Sequence, residues 1–289
     1  MCLSIYGEED GMTVSSPERI GYAVNALERF WGEQPVSVIR CETCRRYGRE
    51  RGAADGTVRR ELGTLRAAIN HCFKEGNLTS ARAVVLPPRP APRARWLTRQ
   101  EAAFLLRGAR PLRVDGQHLD DFILCDLYTG SRKQTILALQ LDTPTIHGGY
   151  VDTSAGVLYR KPQGKRMTAK RQTPARLPAF YLDCLLRKVA NGRRYVVEDY
   201  RGNRVADIRK GWTNAKLLAQ ARGIDLDLSD ATPHTLKHTA ITWTLQGGAS
   251  IWDVAGYFGI SVDTIERVYG HHSPDHQKGA IEAINRRGR

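Results

Sequence analysis

Tyr269 stands in the run Val268-Tyr269-Gly270-His271-His272, and a phenol relieved of its proton is a nucleophile. Upstream, His234-Thr235-Leu236-Lys237-His238 puts His234 and Lys237 one turn apart on a single helix face. An imidazole exchanges protons near neutrality, and an ammonium carries a fixed positive charge. Phosphoryl transfer calls for such a pair, because negative charge grows on the non-bridging oxygens in the transition state. Arg132 ends the run Thr129-Gly130-Ser131-Arg132. An arginine that opens a helix after a glycine turn aims a two-pronged donor at phosphate, with the helix dipole behind it. Residues 160–176 hold Arg160, Lys161, Lys165, Arg166, Lys170, Arg171 and Arg176 and no acidic side chain, which suits a hairpin touching phosphates along a groove. Taken singly, each feature also has an ordinary use: a surface arginine, a solvated charge run, a capping or core histidine, a packed tyrosine.

These groups need a frame, and the sequence predicts one. Residues 119–128 read as a helix halted at Thr129-Gly130. Two short strand-like runs flank Asp152-Thr153-Ser154-Ala155-Gly156, a hairpin signal, and another ends near Leu177. From Pro178 onward the pattern is mostly helical, with Gly247-Gly248 dividing two helices. Thr98 and Glu101 form a capping box for a helix through Leu105 and Leu106. Nearer the start, Ser16-Pro17 opens a helix with Ile20, Val24, Leu27 and Trp31 on one face. A second follows Asp55-Gly56-Thr57, with Val58, Leu62, Leu65, Ile69 and Phe73 facing inward and Arg59, Arg60 and Arg66 facing outward. Four prolines between positions 87 and 92 cannot be helical and mark a boundary. The expected architecture is mainly α with a small antiparallel β-sheet, an α+β chain. It comprises a helical bundle over 1–86, a Pro/Arg-rich linker over 87–95, and a mixed domain over 96–289.

The 289 residues carry 44 Lys and Arg against 30 Asp and Glu, a formal charge of +14, and an anionic polymer is the usual partner of so basic a chain. Glu8, Glu9 and Asp10 sit near the start with no long apolar run, which predicts neither a secretory signal nor a membrane span. The six cysteines are scattered. Cys41-x-x-Cys44 lacks a second paired motif, so two reduced thiols on a helix are expected rather than a metal site. Reduced thiols predict a cytoplasmic location.

Arg132, Lys170, His234, Lys237 and Tyr269, in that order, resemble the catalytic domain of tyrosine recombinases (phage integrases). That family is marked by an arginine after a T-G turn, a lysine on a β-hairpin, an H-x-x-R helix, a later His or Trp, and the nucleophilic tyrosine. Thr57-Val58-Arg59-Arg60-Glu61-Leu62 and the helix it opens are similar to the last helix of the family's core-binding domain, so the resemblance spans roughly residues 15 to 285. It implies strand cleavage and religation through a 3′-phosphotyrosyl link to Tyr269. Arg132, His234 and Lys237 would surround the phosphate, and Lys170 would be the general acid, with Lys165 the fallback. It implies double-stranded DNA as partner, contacted by Arg59, Arg60, Lys165, Arg166 and Arg171. It further implies a homotetramer on two DNA sites through exchange of the C-terminal helix (residues 274–285), no metal or other cofactor, and a nucleoid-associated protein.

The chain departs from the pattern in three places. Lys237 stands where the family has its second arginine, Ile260 where it has His or Trp, and Thr135 where an acidic residue commonly follows Arg132. A lysine is a point charge where arginine gives two parallel bonds. One charge-assisted bond fewer in the transition state amounts to ~1–3 kcal/mol, roughly ten- to a hundredfold in rate. Ser261, His271 and His272 are the nearby candidates for the donor that Ile260 lacks. Two alternatives stay open at this level. One is a catalytically degenerate recombinase. The other is a regulator in which residues 249–269 form a helix-turn-helix, Ile260 packs the turn and Tyr269 is structural.

Overall fold

The computed structural model describes residues 1–9, 17–90, 95–115, 118–164, 172–223, 226–270 and 284–285. Ser16, residues 91–94 of the linker, Lys165, Arg166, Lys170, Arg171, His271, His272 and nearly all of 274–285 lie outside them. The chain divides into two compact units, Met1–Pro92 and Arg93–Arg289.

The first unit holds helices α1 (Cys2–Glu8), α2 (Pro17–Trp31), α3 (Cys41–Glu50) and α4 (Asp55–Lys74). Leu27 and Trp31 of α2 meet Val58, Leu62, Leu65 and Ile69 of α4 in one apolar core, joined by Tyr47 and Cys44 of α3. A buried carboxylate ties α3 to α4: Tyr47 donates to Glu61 at 2.6 Å and Arg51 at 3.0 Å. Such a charge is tolerated inside because it is paired and hydrogen-bonded. Phe73, expected on the buried face, is 44% exposed, while Cys72 is fully buried. The reason is α1, which packs on α4 and sets Cys2 against Cys72. The apolar stripe therefore veers toward residue 72 in the last turn.

The second unit opens with α5 (Arg99–Ala109), started by the Thr98–Glu101 capping box. α6 (Leu119–Thr129) and the short α7 (Lys133–Leu137) follow, then β1 (Gln140–Leu141), β2 (Tyr150–Asp152), β3 (Val157–Tyr159) and β4 (Ala175–Arg176). Helices α8 (Ala179–Ala190), α9 (Arg209–Gln220), α10 (Pro233–Gln246), α11 (Ile251–Phe258) and α12 (Val262–Tyr269) complete it. The chain is mainly helical with a small sheet in the order β1-β2-β3-β4. The β2–β3 hairpin pairs Val151 with Leu158, and Leu158 pairs with Ala175 of β4, both antiparallel. β1 runs parallel to β2, so the sheet is mixed rather than purely antiparallel. A two-residue strand leaves no alternation to read, and its direction is set by tertiary packing.

Two apolar clusters share α10. Leu236, in its first half, joins the main core with Phe122 and Ile123 of α6, Ile136 and Leu137 of α7, Leu158 of β3 and Leu185 of α8. Ala240, Ile241 and Leu245, farther along, pack with Val254, Ala255 and Phe258 of α11 and Ile265 and Tyr269 of α12. Among the described residues no helix is long and apolar enough to cross a membrane, and no group of His, Cys, Asp or Glu is arranged to hold a metal ion.

Candidate active site

Gly130 ends α6 in the left-handed region, at φ 55°. A side chain there is excluded twice, by that conformation and by the Phe258 ring, which a Cβ would overlap. The turn delivers Arg132 to the N-cap position of α7. It is held from behind by Arg160, only 5% exposed, at the exit of β3. Arg160 Nε donates to Ser131 Oγ at 3.0 Å, Nη2 to the Thr129 carbonyl at 2.8 Å and Nη1 to the Thr173 carbonyl at 2.6 Å. Arg160 is thus a buried brace for the Arg132 turn, not an exposed member of a basic run. Thr173 Oγ1 donates in turn to the Gly256 carbonyl at 2.7 Å, and Tyr257 Oη to the Tyr128 carbonyl at 2.9 Å. These two bonds fasten α11 to the same neighbourhood.

α10 starts with a Thr232–Thr235 capping box and Pro233 in its first turn, a strong N-terminal signal. Thr239 of α10 accepts from the Leu97 amide at 2.8 Å, and Trp243 donates to the Leu97 carbonyl at 3.0 Å, so the helix is pinned along its length. Its first turns carry His234, the buried Lys237 and His238. The His234 and His238 rings meet edge to face, centroids 4.7 Å apart. Across from them Tyr269, 5% exposed, ends α12 with its Oη 2.6 Å from His238 Nδ1.

The electrostatics of this cluster follow from burial among like charges. Lys237 is pushed down to about 8, first by burial and then by Arg132, with Asp126 opposing and Arg160 adding. His234 is lowered by burial, then by Lys237 and Arg132. His238 falls to about 4 through burial, His234 and Lys237. Burial alone raises the Tyr269 phenol. Asp126 of α6 is held well above the ordinary carboxylate range by burial, against the pull of Lys237, and its Oδ1 has no hydrogen-bond partner among the described residues. The result is a pocket of excess positive charge beside a protonated phenol, which suits a bound phosphodiester.

No protein-family model matches the chain. The XerD tyrosine recombinase of Listeria monocytogenes is 22% identical over 234 residues, 78% of this chain and 74% of that protein. The Tn1549 transposon integrase, solved with transposon right end DNA, superposes with a TM-score of 0.74 at 14% identity, covering 98% of this chain and 99% of that one. A λ integrase tetramer bound to a Holliday junction gives 0.69 at 16% identity, over 95% of this chain and 77% of that one. The chain has the fold of these integrases and is similar in sequence to a tyrosine recombinase. These relatives do not favour a regulator that only reads DNA. α11 and α12 do form a two-helix unit about Gly259, at φ 62°.

Of the residues singled out in the sequence, Arg132, His234 and Lys237 come together and Tyr269 joins them through His238, while Lys170, Lys165, Arg166 and Arg171 lie outside the described residues. Ile260 packs, half-buried, on the α10–α12 cluster, its amide donating to the Ala255 carbonyl at 3.1 Å. Ser261, a candidate for the donor that Ile260 lacks, stands at the start of α12. Its hydroxyl is engaged as the N-cap of α12, accepting from the Thr264 amide at 3.3 Å. In the first unit Arg60 is exposed, and Arg59 is half-buried and donates to the Pro87 carbonyl. Both line an open groove with Arg66 and Arg89. Sequence reasoning missed His238, Asp126 and the bracing role of Arg160. His238 had a signal, since it lies four residues after His234 and so on its face.

Proposed function

We propose that this protein is a site-specific DNA recombinase that cuts and rejoins DNA through a 3′-phosphotyrosyl bond to Tyr269. The observation that carries the reading is the meeting of Tyr269 and His238 at 2.6 Å beside His234 and the cations Arg132 and Lys237. Arg132 and Lys237 hold the non-bridging oxygens of the scissile phosphate, where charge develops. His234, on the same face as Lys237, binds that phosphate and shuttles protons. Tyr269 Oη attacks phosphorus and frees a 5′-hydroxyl, with Lys170 the donor to the leaving oxygen. A hydroxyl from the partner strand then reverses the step. The phosphotyrosine conserves the energy of the broken diester, so the chain's own residues carry the reaction without a cofactor.

The first unit, as a core-binding domain, grips the DNA backbone through Arg59 and Arg60, and the basic segment with Lys165, Arg166 and Arg171 adds phosphate contacts. Because λ integrase is solved as a tetramer on a Holliday junction, the working assembly is a homotetramer on two DNA sites, linked through the C-terminal segment, and the protein is nucleoid-associated.

Covalent trapping tests the reading. Nicked duplexes cut from the DNA flanking the gene are incubated with the protein and denatured in detergent. A protein–DNA adduct that vanishes in Tyr269→Phe is the expected result. An adduct that persists in Tyr269→Phe sinks the nucleophile assignment. Specific binding with no adduct from the wild type points to a degenerate recombinase.

A further inference from the structure

The histidine that touches the nucleophile is not the one in the family motif. His234 lies on the phosphate side, where Lys237 and Arg132 act on it. Its neighbour one turn on, His238, reaches Tyr269 with Nδ1 2.6 Å from Oη, the two rings 5.5 Å apart and tilted by 35°. Tyr269 is 5% exposed, and a buried phenol hydroxyl needs a partner. Among the described residues His238 is the one it has. A phenol carries a single proton, so Tyr269 donates it to a bare Nδ1, and the ring proton of His238 sits on Nε2.

We infer that His238 is a further catalytic residue, the base that receives the Tyr269 proton as the phenol oxygen attacks phosphorus. The inference rests on the recombinase reading above. In the forward step a lone pair of Oη forms the Oη–P bond, and the phenol proton passes to His238 Nδ1. The P–O5′ bond breaks, and its electron pair stays on the 5′ oxygen, which takes a proton from the site's acid. His238 ends as imidazolium and the acid as its neutral form. Rejoining runs the same steps backward: the attacking 5′-hydroxyl returns its proton to the acid, and His238 protonates the departing Tyr269.

Burial and the charges of His234 and Lys237 disfavour imidazolium at His238, so the ring is neutral, as a base must be. A diester seated on Arg132 and Lys237 brings a negative charge that offsets this field. Its arrival raises the basicity of His238 when the proton has to move. Two histidines on one helix face thus divide the work, His234 toward the phosphate and His238 toward the nucleophile.

The test is single-turnover cleavage of the nicked flanking duplex by wild type, His238→Ala and His238→Asn, with Tyr269→Phe as the blank. Asparagine sets an amide oxygen near the place of Nδ1, so it keeps the hydrogen bond and loses the base. Both variants should bind the duplex as the wild type does and cleave it about 10²–10⁴-fold more slowly, the usual share of a general base. Rejoining should slow in parallel, and added imidazole should speed His238→Ala. A His238→Asn protein that melts like the wild type and cleaves at its rate overturns the inference and leaves His238 a structural contact. No adduct from the wild type on bound duplex overturns the recombinase reading and takes this inference with it.

Discussion

The two halves of the candidate site are built differently. The phosphate half, Arg132 on its turn and Lys237 on α10, grows out of the main core, and a buried guanidinium braces its turn with two hydrogen bonds while a third goes to the Thr173 carbonyl. The nucleophile half, α11 and α12, has a small apolar cluster of its own, and two side-chain hydrogen bonds hold α11 to the Arg132 side. On the proposed mechanism, the groups that must stay fixed while charge develops sit in the over-determined half. On the same mechanism, the group that forms and releases a covalent bond sits in the lightly tethered one. Local opening free energies rise with the buried contacts an element makes, so α11–α12 should exchange its amide hydrogens faster than α6 and the first half of α10.

Substitutions that act on only one half break or sharpen this contrast. If Arg132 donates to the transition state as proposed, Arg132→Ala should lower the cleavage rate constant about 10²–10³-fold while duplex binding is largely kept. Rate and affinity measured side by side would expose an arginine that only binds. Arg160→Met touches no phosphate but strands Ser131 and two backbone carbonyls, so thermal unfolding should report a loss of about 2–4 kcal/mol. A melting temperature equal to that of wild type would show that the brace is dispensable. Lys237→Arg should preserve cleavage or raise it by up to about tenfold, because the fork returns. With Lys237 at about 8, wild-type cleavage on subsaturating DNA should be full below that value and fade as pH rises through it. The arginine variant stays charged and should hold level on the alkaline side, and a shared decline would assign the limb to another group. Arg60→Ala, in the first unit, should weaken binding evenly across DNA sequences. It should flatten the dependence of log affinity on log salt by about 1, read from a salt titration.

Much of this arrangement is legible in the sequence. Thr129-Gly130 announces the left-handed stop of α6 and places Arg132 at the start of α7, because few residues other than glycine take that conformation. The capping boxes of α5 and α10 are local and readable for the same reason. Burial of charge is not local. Arg160 reads as one more cation in a basic run, since only the tertiary fold decides that it faces the Ser131 turn. Asp126 does break an apolar stretch, but its proximity to Lys237 depends on α6 packing against α10. His238 was hidden by its neighbour: His234 and Lys237 already satisfied the expected spacing, and the phenol that engages His238 lies 31 residues away in the chain.

The brace on the Arg132 turn reaches beyond geometry. Arg160 lies inside the fold with carbonyl and hydroxyl partners and, among the described residues, no carboxylate. Together with Arg132 it depresses the ammonium of Lys237. An anion seated among these three mutually repelling cations would offset their repulsion, and because the folded state alone presents the pocket, it would stabilise that state.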